Sequence, residues 1–137
     1  MTLFQISGLF LIYSILGWTL DSTYRTCAAR RLKRGGFSPY PFSPVYGFAA
    51  LLATAISKIL TPLPLVLELL IYSFIMGAFE YISGVVVVKT FNKRLWSYSD
   101  SRWNFDGHTA PQFAVIWGVI SLCIIYILNP FFLSYLK

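Results

Sequence analysis

The apolar run from Leu65 to Val88 contains no Lys, Arg or His and only two acids, Glu68 and Glu80. Its length and composition are those of a helix that crosses a membrane, which needs roughly 20 apolar residues. A carboxylate is costly to hold ionised in hydrocarbon, so such a residue usually faces a protein interior and marks a functional site. We therefore expect a functional site at Glu80. Glu68, near the helix start, is expected to be an interfacial end-of-helix acid.

The composition of the whole chain also places it among membrane proteins. Hydrophobic residues make up 57% of the 137 residues and charged residues 12%, whereas about 25% of the residues in a soluble domain are charged. The candidate spans are Leu3–Tyr24, Tyr46–Leu60, Leu65–Val88 and Pro111–Leu133. The sequence thus predicts an all-α membrane protein, with about four transmembrane helices in a compact bundle and a single domain over residues 1–137.

The second candidate span is the weakest of the four. From Tyr46 to Leu60 it is short for a hydrocarbon core about 30 Å thick, and a start near Pro44 would lengthen it. It is followed by Thr61-Pro62-Leu63-Pro64, which cannot continue a helix cleanly because proline lacks the backbone donor. We predict a tight hairpin there.

Basic residues concentrate in two segments, Arg25–Arg34 and Lys89–Arg102. Lys and Arg favour the cytoplasmic side of a membrane, and two predicted spans separate the segments. We therefore expect a multi-pass plasma-membrane protein with both segments in the cytoplasm and both termini outside. The basic residues flank spans rather than forming a separate domain, so membrane lipids are expected partners and nucleic acid is not.

Polar residues at the end of the first span suggest a neighbour for Glu80. Helical spacing puts Trp18, Asp21 and Arg25 on one face, with Asp21 and Arg25 at i and i+4. One interpretation is an interfacial Trp with a local ion pair. The other is a polar wall opposite Glu80, which lies roughly 13 Å from the helix end at Lys89, and this would build a cavity open to the cytoplasm.

The two basic segments lead into aromatic-rich loops. The first is stiffened by three prolines, Pro39, Pro41 and Pro44, and is predicted to fold back on the membrane. The second contains Asp100, Asp106 and the only histidine, His108. These side chains are candidates for a general base or metal ligands, although a lone loop histidine is more often a surface residue.

Several short segments, taken in order, resemble the Putative ABC-transporter type IV permease family of small bacterial integral membrane proteins. They are Leu16-Gly17-Trp18 with Asp21, Arg34-Gly35-Gly36-Phe37, Pro44-Val45-Tyr46-Gly47-Phe48, Phe79-Glu80-Tyr81, Trp96-Ser97-Tyr98-Ser99, Asn104 with Gly107, and Trp117-Gly118. The resemblance covers about Phe10 to Gly118. Two positions depart from the family pattern, since Ser97 stands where an acid is usual and Asp21 where Glu is often found. The resemblance implies transport.

Spacing and resemblance together select nine candidate substrate-binding residues: Trp18, Asp21, Arg25, Arg34, Tyr46, Glu80, Trp96, Tyr98 and Asn104. We assign no catalytic residue, cofactor or metal. The first hypothesis is a permease-like transport subunit for a lipid or small polar metabolite. The chain has no Gly-x-x-x-x-Gly-Lys-Ser/Thr loop, so an ATP-binding subunit would be a separate chain, and a homo-oligomer is a further expectation.

Two alternatives remain open at this stage. The chain is an intramembrane enzyme acting on a lipid or lipid-linked substrate at the cytoplasmic leaflet if Asp106 and His108 supply chemistry. It is a non-catalytic accessory membrane subunit if its polar residues only fix helix packing.

Overall fold

The computed structural model of the chain describes residues 1–36, 39–60 and 62–137. Within them the protein is helical, and the only β contact is an isolated bridge between Phe105 and Thr109. The helices are α1 (Leu3–Ala29), α2 (Pro44–Ser57), α3 (Leu65–Phe91), α4 (Pro111–Cys123) and α5 (Asn129–Tyr135), with a π-helical turn (Ile124–Leu128) joining α4 to α5. Phe37 and Ser38 of the predicted first loop and Thr61 of the predicted hairpin lie outside the described residues.

Local sequence signals account for the helix ends. Thr2 caps α1, and its hydroxyl accepts from the Gln5 amide while the Gln5 side chain accepts from the Thr2 amide. This reciprocal pair satisfies two backbone donors that a helix start leaves open. α3 ends where Asn92 adopts a left-handed φ of 53°, a conformation that Asn tolerates better than most residues. α4 begins at Pro111, whose missing N–H costs nothing at the first helical position.

Three helical segments are long and apolar enough to cross a membrane, namely Leu3–Ala29, Leu65–Phe91 and Pro111–Tyr135. α2 starts at Pro44, the earlier of the two starts considered, but it ends at Ser57 and has only 14 residues. At 1.5 Å per residue it is about 21 Å long, which is shorter than the hydrocarbon core. The predicted count of about four transmembrane helices is therefore not confirmed, and the chain is a multi-pass membrane protein with three candidate spans and one shorter apolar helix.

The chain divides into two compact units. The first unit contains residues 1–52 and 131–137. In it, the ring of Tyr46 occupies the space that a side chain at Gly17 would fill. The opposite end of α1 packs against the C-terminal segment, where the side-chain amide of Gln5 donates to the backbone oxygen of Leu136 at 3.1 Å. Small residues and terminal hydrogen bonds thus hold this unit together.

The second unit contains residues 53–130, and its main contact is between α3 and α4. A methyl group at Gly77 would lie 3.0 Å from the Cβ of Ala114, and the hydroxyl of Ser73 occupies the space beside Gly118. Small residues let the two backbones approach closely. Gly77 and Gly118 therefore serve the packing of α3 against α4.

Glu68 has a hydrogen-bond partner that the sequence did not indicate. It does lie in the first turn of α3, but its side chain is buried and accepts a hydrogen bond of 2.6 Å from the hydroxyl of Tyr126. Tyr126 belongs to the π-helical turn, which inserts an extra residue into the helical repeat and re-aims the side chains that follow. The sequence contains no local signal for this turn, so the partner of Glu68 was not predictable.

Candidate polar site around Glu80

The Glu80 side chain is 6% exposed. It accepts hydrogen bonds from the loop that follows α3 and from α4. Its Oε1 accepts from the hydroxyl of Tyr98 at 2.7 Å and from the indole N–H of Trp117 at 2.9 Å. Its Oε2 accepts from the hydroxyl of Thr109 at 2.8 Å. Among the described residues no Lys, Arg or His forms an ion pair with it. The carboxyl group is therefore held by neutral donors alone.

Two of these donors come from the α3–α4 loop (residues 92–110), and the loop is ordered by its own polar contacts. The Trp96 indole donates to the backbone oxygen of His108 at 2.8 Å. The Tyr98 ring stacks on Phe113 of α4, with centroids 4.0 Å apart. This stacking fixes the ring from the side while its hydroxyl reaches Glu80. The α3–α4 loop thus packs against α4 and supplies two donors of the site.

Asn104 closes the far side of the same loop. Its amide donates to the backbone oxygen of Ser101 at 2.8 Å, and its side-chain oxygen accepts from the amide of Gly107 at 2.9 Å. Gly107 has a φ of 70°, which favours glycine. Ser97 is exposed and donates to the hydroxyl of Ser99 at 3.1 Å. Asn104 therefore positions the loop rather than reaching Glu80.

Asp106 and His108 both contact Tyr81, the residue after Glu80. The Tyr81 hydroxyl donates to Asp106 Oδ2 at 2.9 Å, and the His108 ring meets the Tyr81 ring edge to face at 5.5 Å. His108 is buried, not a surface residue, and burial is the main reason that its pKa is lowered. The Arg94 charge lowers the pKa further, while Asp106 opposes the shift. Among the described residues no group of three or more His, Cys, Asp or Glu side chains is arranged to hold a metal ion.

Five candidate residues lie in the first unit, and none of them is among the hydrogen-bond donors of Glu80: Trp18, Asp21, Arg25, Arg34 and Tyr46. The predicted i, i+4 pair forms, with Arg25 Nε 2.9 Å from Asp21 Oδ2. The Trp18 indole donates to the backbone oxygen of Gly35 at 2.9 Å, and Arg34 is exposed, with Nη1 3.4 Å from the backbone oxygen of Pro39. A cavity shared between Asp21 and Glu80 stays a prediction.

Gly35 lets the backbone of the first loop lie directly against the Asp21 side chain. A side chain at position 35 would clash with the Asp21 carboxylate, and the Gly35 amide donates to the hydroxyl of Ser22 at 2.9 Å. The end of α1 and the start of the first loop therefore form one polar cluster, in which Trp18 and Ser22 hold the loop backbone.

Thr109 and Trp117 contact Glu80 and were not among the candidate residues. Trp117 carried a signal, because Trp117-Gly118 belongs to the family resemblance and an indole N–H inside a span needs a partner. Thr109 carried only a weak one, as a hydroxyl two residues before the proline that opens α4. Only the loop conformation brings it to α3.

Tyr81 and Thr109 also border a groove of about 660 Å³ between α3 and α4. Glu80 does not line this groove, because Thr109 covers its Oε2. The site thus consists of a buried carboxyl group, a shell of three neutral donors and an adjoining groove. A carboxyl group so placed is suited to recognise a cationic or hydrogen-bond-donating group, once a donor of the shell moves aside.

No curated protein and no solved structure matches the chain. A family model does match it, over residues 8–137, and that family is described as Putative ABC-transporter type IV. The match extends beyond the Phe10 to Gly118 region in which the resemblance was recognised from short segments. The chain therefore belongs to the Putative ABC-transporter type IV family.

Proposed function

We propose that this protein is a permease-like subunit of a membrane transport system, with its substrate site at Glu80. One observation carries the proposal: a carboxyl group buried in a candidate membrane span is satisfied by Tyr98, Thr109 and Trp117 without an ion pair to any described residue. Displacing a neutral donor leaves no unpaired buried cation behind, whereas breaking a buried ion pair would. Neutral donors can be exchanged for those of a substrate at less cost.

The α3–α4 loop is the element that controls access to this carboxyl group. It supplies Tyr98 and Thr109, whereas the third donor, Trp117, belongs to α4. A shift of the loop exposes Glu80 while Trp117 still holds Oε1. The substrate is a lipid or a small polar metabolite with a cationic or donor group.

Energy for transport comes from a partner in this proposal. An ATP-binding subunit in a separate chain supplies hydrolysis, and the family to which the chain belongs supports such a pairing. Three candidate spans are too few to enclose a path for a substrate, so the chain assembles with further copies or with other subunits. With α2 as a further, short crossing, both basic loops face the cytoplasm, where an ATP-binding subunit would contact them.

The test is the composition of the native complex. The protein is cross-linked in its own membranes, purified in mild detergent and analysed by mass spectrometry for a chain with a Gly-x-x-x-x-Gly-Lys-Ser/Thr loop. We expect such a chain to co-purify with the wild type and with Glu80→Gln, and ATP hydrolysis by the complex to lose its response to substrate only in the variant. Repeated absence of an ATP-binding chain after cross-linking would contradict the proposal.

A further inference from the structure

The groove between α3 and α4 has the size and lining of a ligand site. Its volume of about 660 Å³ lies within the range of about 300–1,000 Å³ that ligand pockets occupy. Along α3 it runs from Ser73 to Ile82, which is roughly 13 Å of helix. It is long enough to follow part of an extended acyl chain.

Apolar side chains dominate the wall of the groove, and they belong to two segments that are candidates to cross the membrane. Phe74 and Ile82 on α3 and Val115 on α4 all line it, and Phe74 is 80% exposed. Apolar surface of this kind in a span faces hydrocarbon, so a lipid tail is its natural occupant. The apolar wall does not distinguish one class of lipid from another.

Charged groups at the loop end of the groove do select one. Asp106 is the one charged residue among the described residues that line it, and the Tyr81 hydroxyl donates to its Oδ2. Arg94 lies beside it, with Nη1 donating to the backbone oxygen of Asp106 at 3.0 Å. The two side chains form no ion pair with each other among the described residues. A carboxylate and a guanidinium are therefore presented side by side, both exposed.

This pair complements a zwitterionic head group that carries an ammonium and a phosphate. Guanidinium groups are well suited to phosphate, and carboxylates accept the hydrogen bonds of a primary ammonium. The backbone holds the arrangement in place, because Asp106 and Gly107 adopt left-handed φ values of 52° and 70°. A methyl group at Gly107 would lie 3.0 Å from Arg94 Nη1, so the turn brings the guanidinium against the backbone of Asp106 and Gly107.

We propose that the groove binds a phospholipid with a primary-amine head group, with one acyl chain along Phe74, Ala78 and Val115, the ammonium at Asp106 and the phosphate at Arg94. The inference rests on the proposed function in one respect, since it names the class of lipid that the transport subunit would bind as substrate. Binding itself requires neither ATP nor a partner subunit.

The test compares lipids that differ only in the head group. The delipidated protein is incubated in detergent with phosphatidylethanolamine or phosphatidylglycerol of identical acyl chains, and bound lipid is counted by native mass spectrometry. We expect phosphatidylethanolamine to bind with roughly tenfold or higher preference, because a charge-assisted hydrogen bond is gained. Equal binding of the two lipids would overturn the head-group assignment.

Two variants separate the head-group contact from the acyl-chain contact. Asp106→Asn keeps the acceptor for Tyr81 and tolerates the left-handed φ, so it should fold normally and lose the preference between the lipids. Ala78→Phe fills the groove from an exposed position and should abolish binding of both lipids. Asp100→Asn, an exposed acid of the same loop outside the groove, is the matched control and should leave binding unchanged.

A protein occupant gives a different result. If another copy of the chain fills the groove, Ala78→Cys in membranes will form interchain disulfides, with Cys27 and Cys123 replaced by Ser beforehand, and such cross-links would refute the lipid proposal. The same purified sample reports on the transport proposal separately. Loss of the ATP-binding chain with intact lipid preference contradicts transport alone, whereas a retained ATP-binding chain with no lipid preference contradicts the groove alone.

Discussion

The two oxygens of Glu80 have unequal support, and this predicts unequal effects of removing their donors. Oε1 accepts from both Tyr98 and Trp117, whereas the described residues provide Oε2 with one donor, Thr109. Thr109→Val removes the hydroxyl without changing side-chain shape and leaves Oε2 buried without a partner. Leaving a buried acceptor without a partner costs about 1–3 kcal/mol, and loss of the sole donor belongs at the upper end. We expect Thr109→Val to lower the free energy of unfolding by about 2–3 kcal/mol.

Tyr98→Phe should cost less, about 1 kcal/mol. Phe keeps the stacking on Phe113, and Trp117 still donates to Oε1 at 2.9 Å. The assay is equilibrium unfolding in mixed micelles of dodecyl maltoside and sodium dodecyl sulfate, followed by far-ultraviolet circular dichroism. Thr19→Val is the matched control, because that exposed hydroxyl donates only to Ile15 in its own helix, and we expect a change within about 0.5 kcal/mol.

A double-mutant cycle shows whether the cost of Thr109→Val arises from Glu80. In a Glu80→Leu background no acceptor remains for the hydroxyl, so replacing Thr109 by Val should be nearly neutral. The coupling free energy should therefore approach the full single-mutant cost. A coupling below about 0.5 kcal/mol, or a Tyr98→Phe cost equal to that of Thr109→Val, would refute the assignment of the donors.

Three further outcomes are expected. Gly84→Ala would place a methyl group 2.5 Å from His108 Nδ1 and should destabilise the protein by about 1–3 kcal/mol through overpacking, whereas Gly8→Ala meets only the flexible end of Leu136. An equal cost in the same micelle assay would contradict this. The lowered pKa of His108 means that the unfolded state binds its proton more readily, so stability should fall as pH drops below the ordinary value of 6.5. His108→Gln should weaken the dependence between pH 7.5 and 5.5, and an unchanged slope would argue against it. Single cysteines at Leu32 and Asp100, in a background without Cys27 and Cys123, should both react with an impermeant thiol reagent only from the cytoplasm. Labelling from opposite sides would mean that α2 does not cross.

Much of the architecture could be predicted from hydropathy and from the prolines at helix boundaries. The starts of α3 at Leu65 and of α4 at Pro111 coincide with the predicted span starts, because Pro64 and Pro111 restrict where a helix can begin. The length of α2 was less predictable. The predicted span continues past Ser57 to Leu60 with Lys58 as its one charged residue, so composition alone does not indicate where the helix ends.

The candidate site was only partly predictable. An acidic side chain is costly to bury in hydrocarbon, so its presence in an apolar run was enough to single out Glu80. Its donors depend on contacts between distant residues: Tyr98 is 18 positions away, Thr109 is 29 and Trp117 is 37. The family resemblance brought Tyr98 and Trp117 to notice without linking either to Glu80, and Thr109 was missed.

Sequence alone therefore determined the membrane class, the three long helices and the acid that needed partners, because hydropathy and burial cost are local properties of the chain. Tertiary structure decided which neutral groups satisfy that acid, that Glu68 pairs with Tyr126, and that Asp106 and Arg94 lie side by side at a groove. These features arise from helix packing and from the left-handed turns at Asp106 and Gly107. Such contacts join residues that are far apart along the chain, and local sequence patterns do not indicate which distant residues come together.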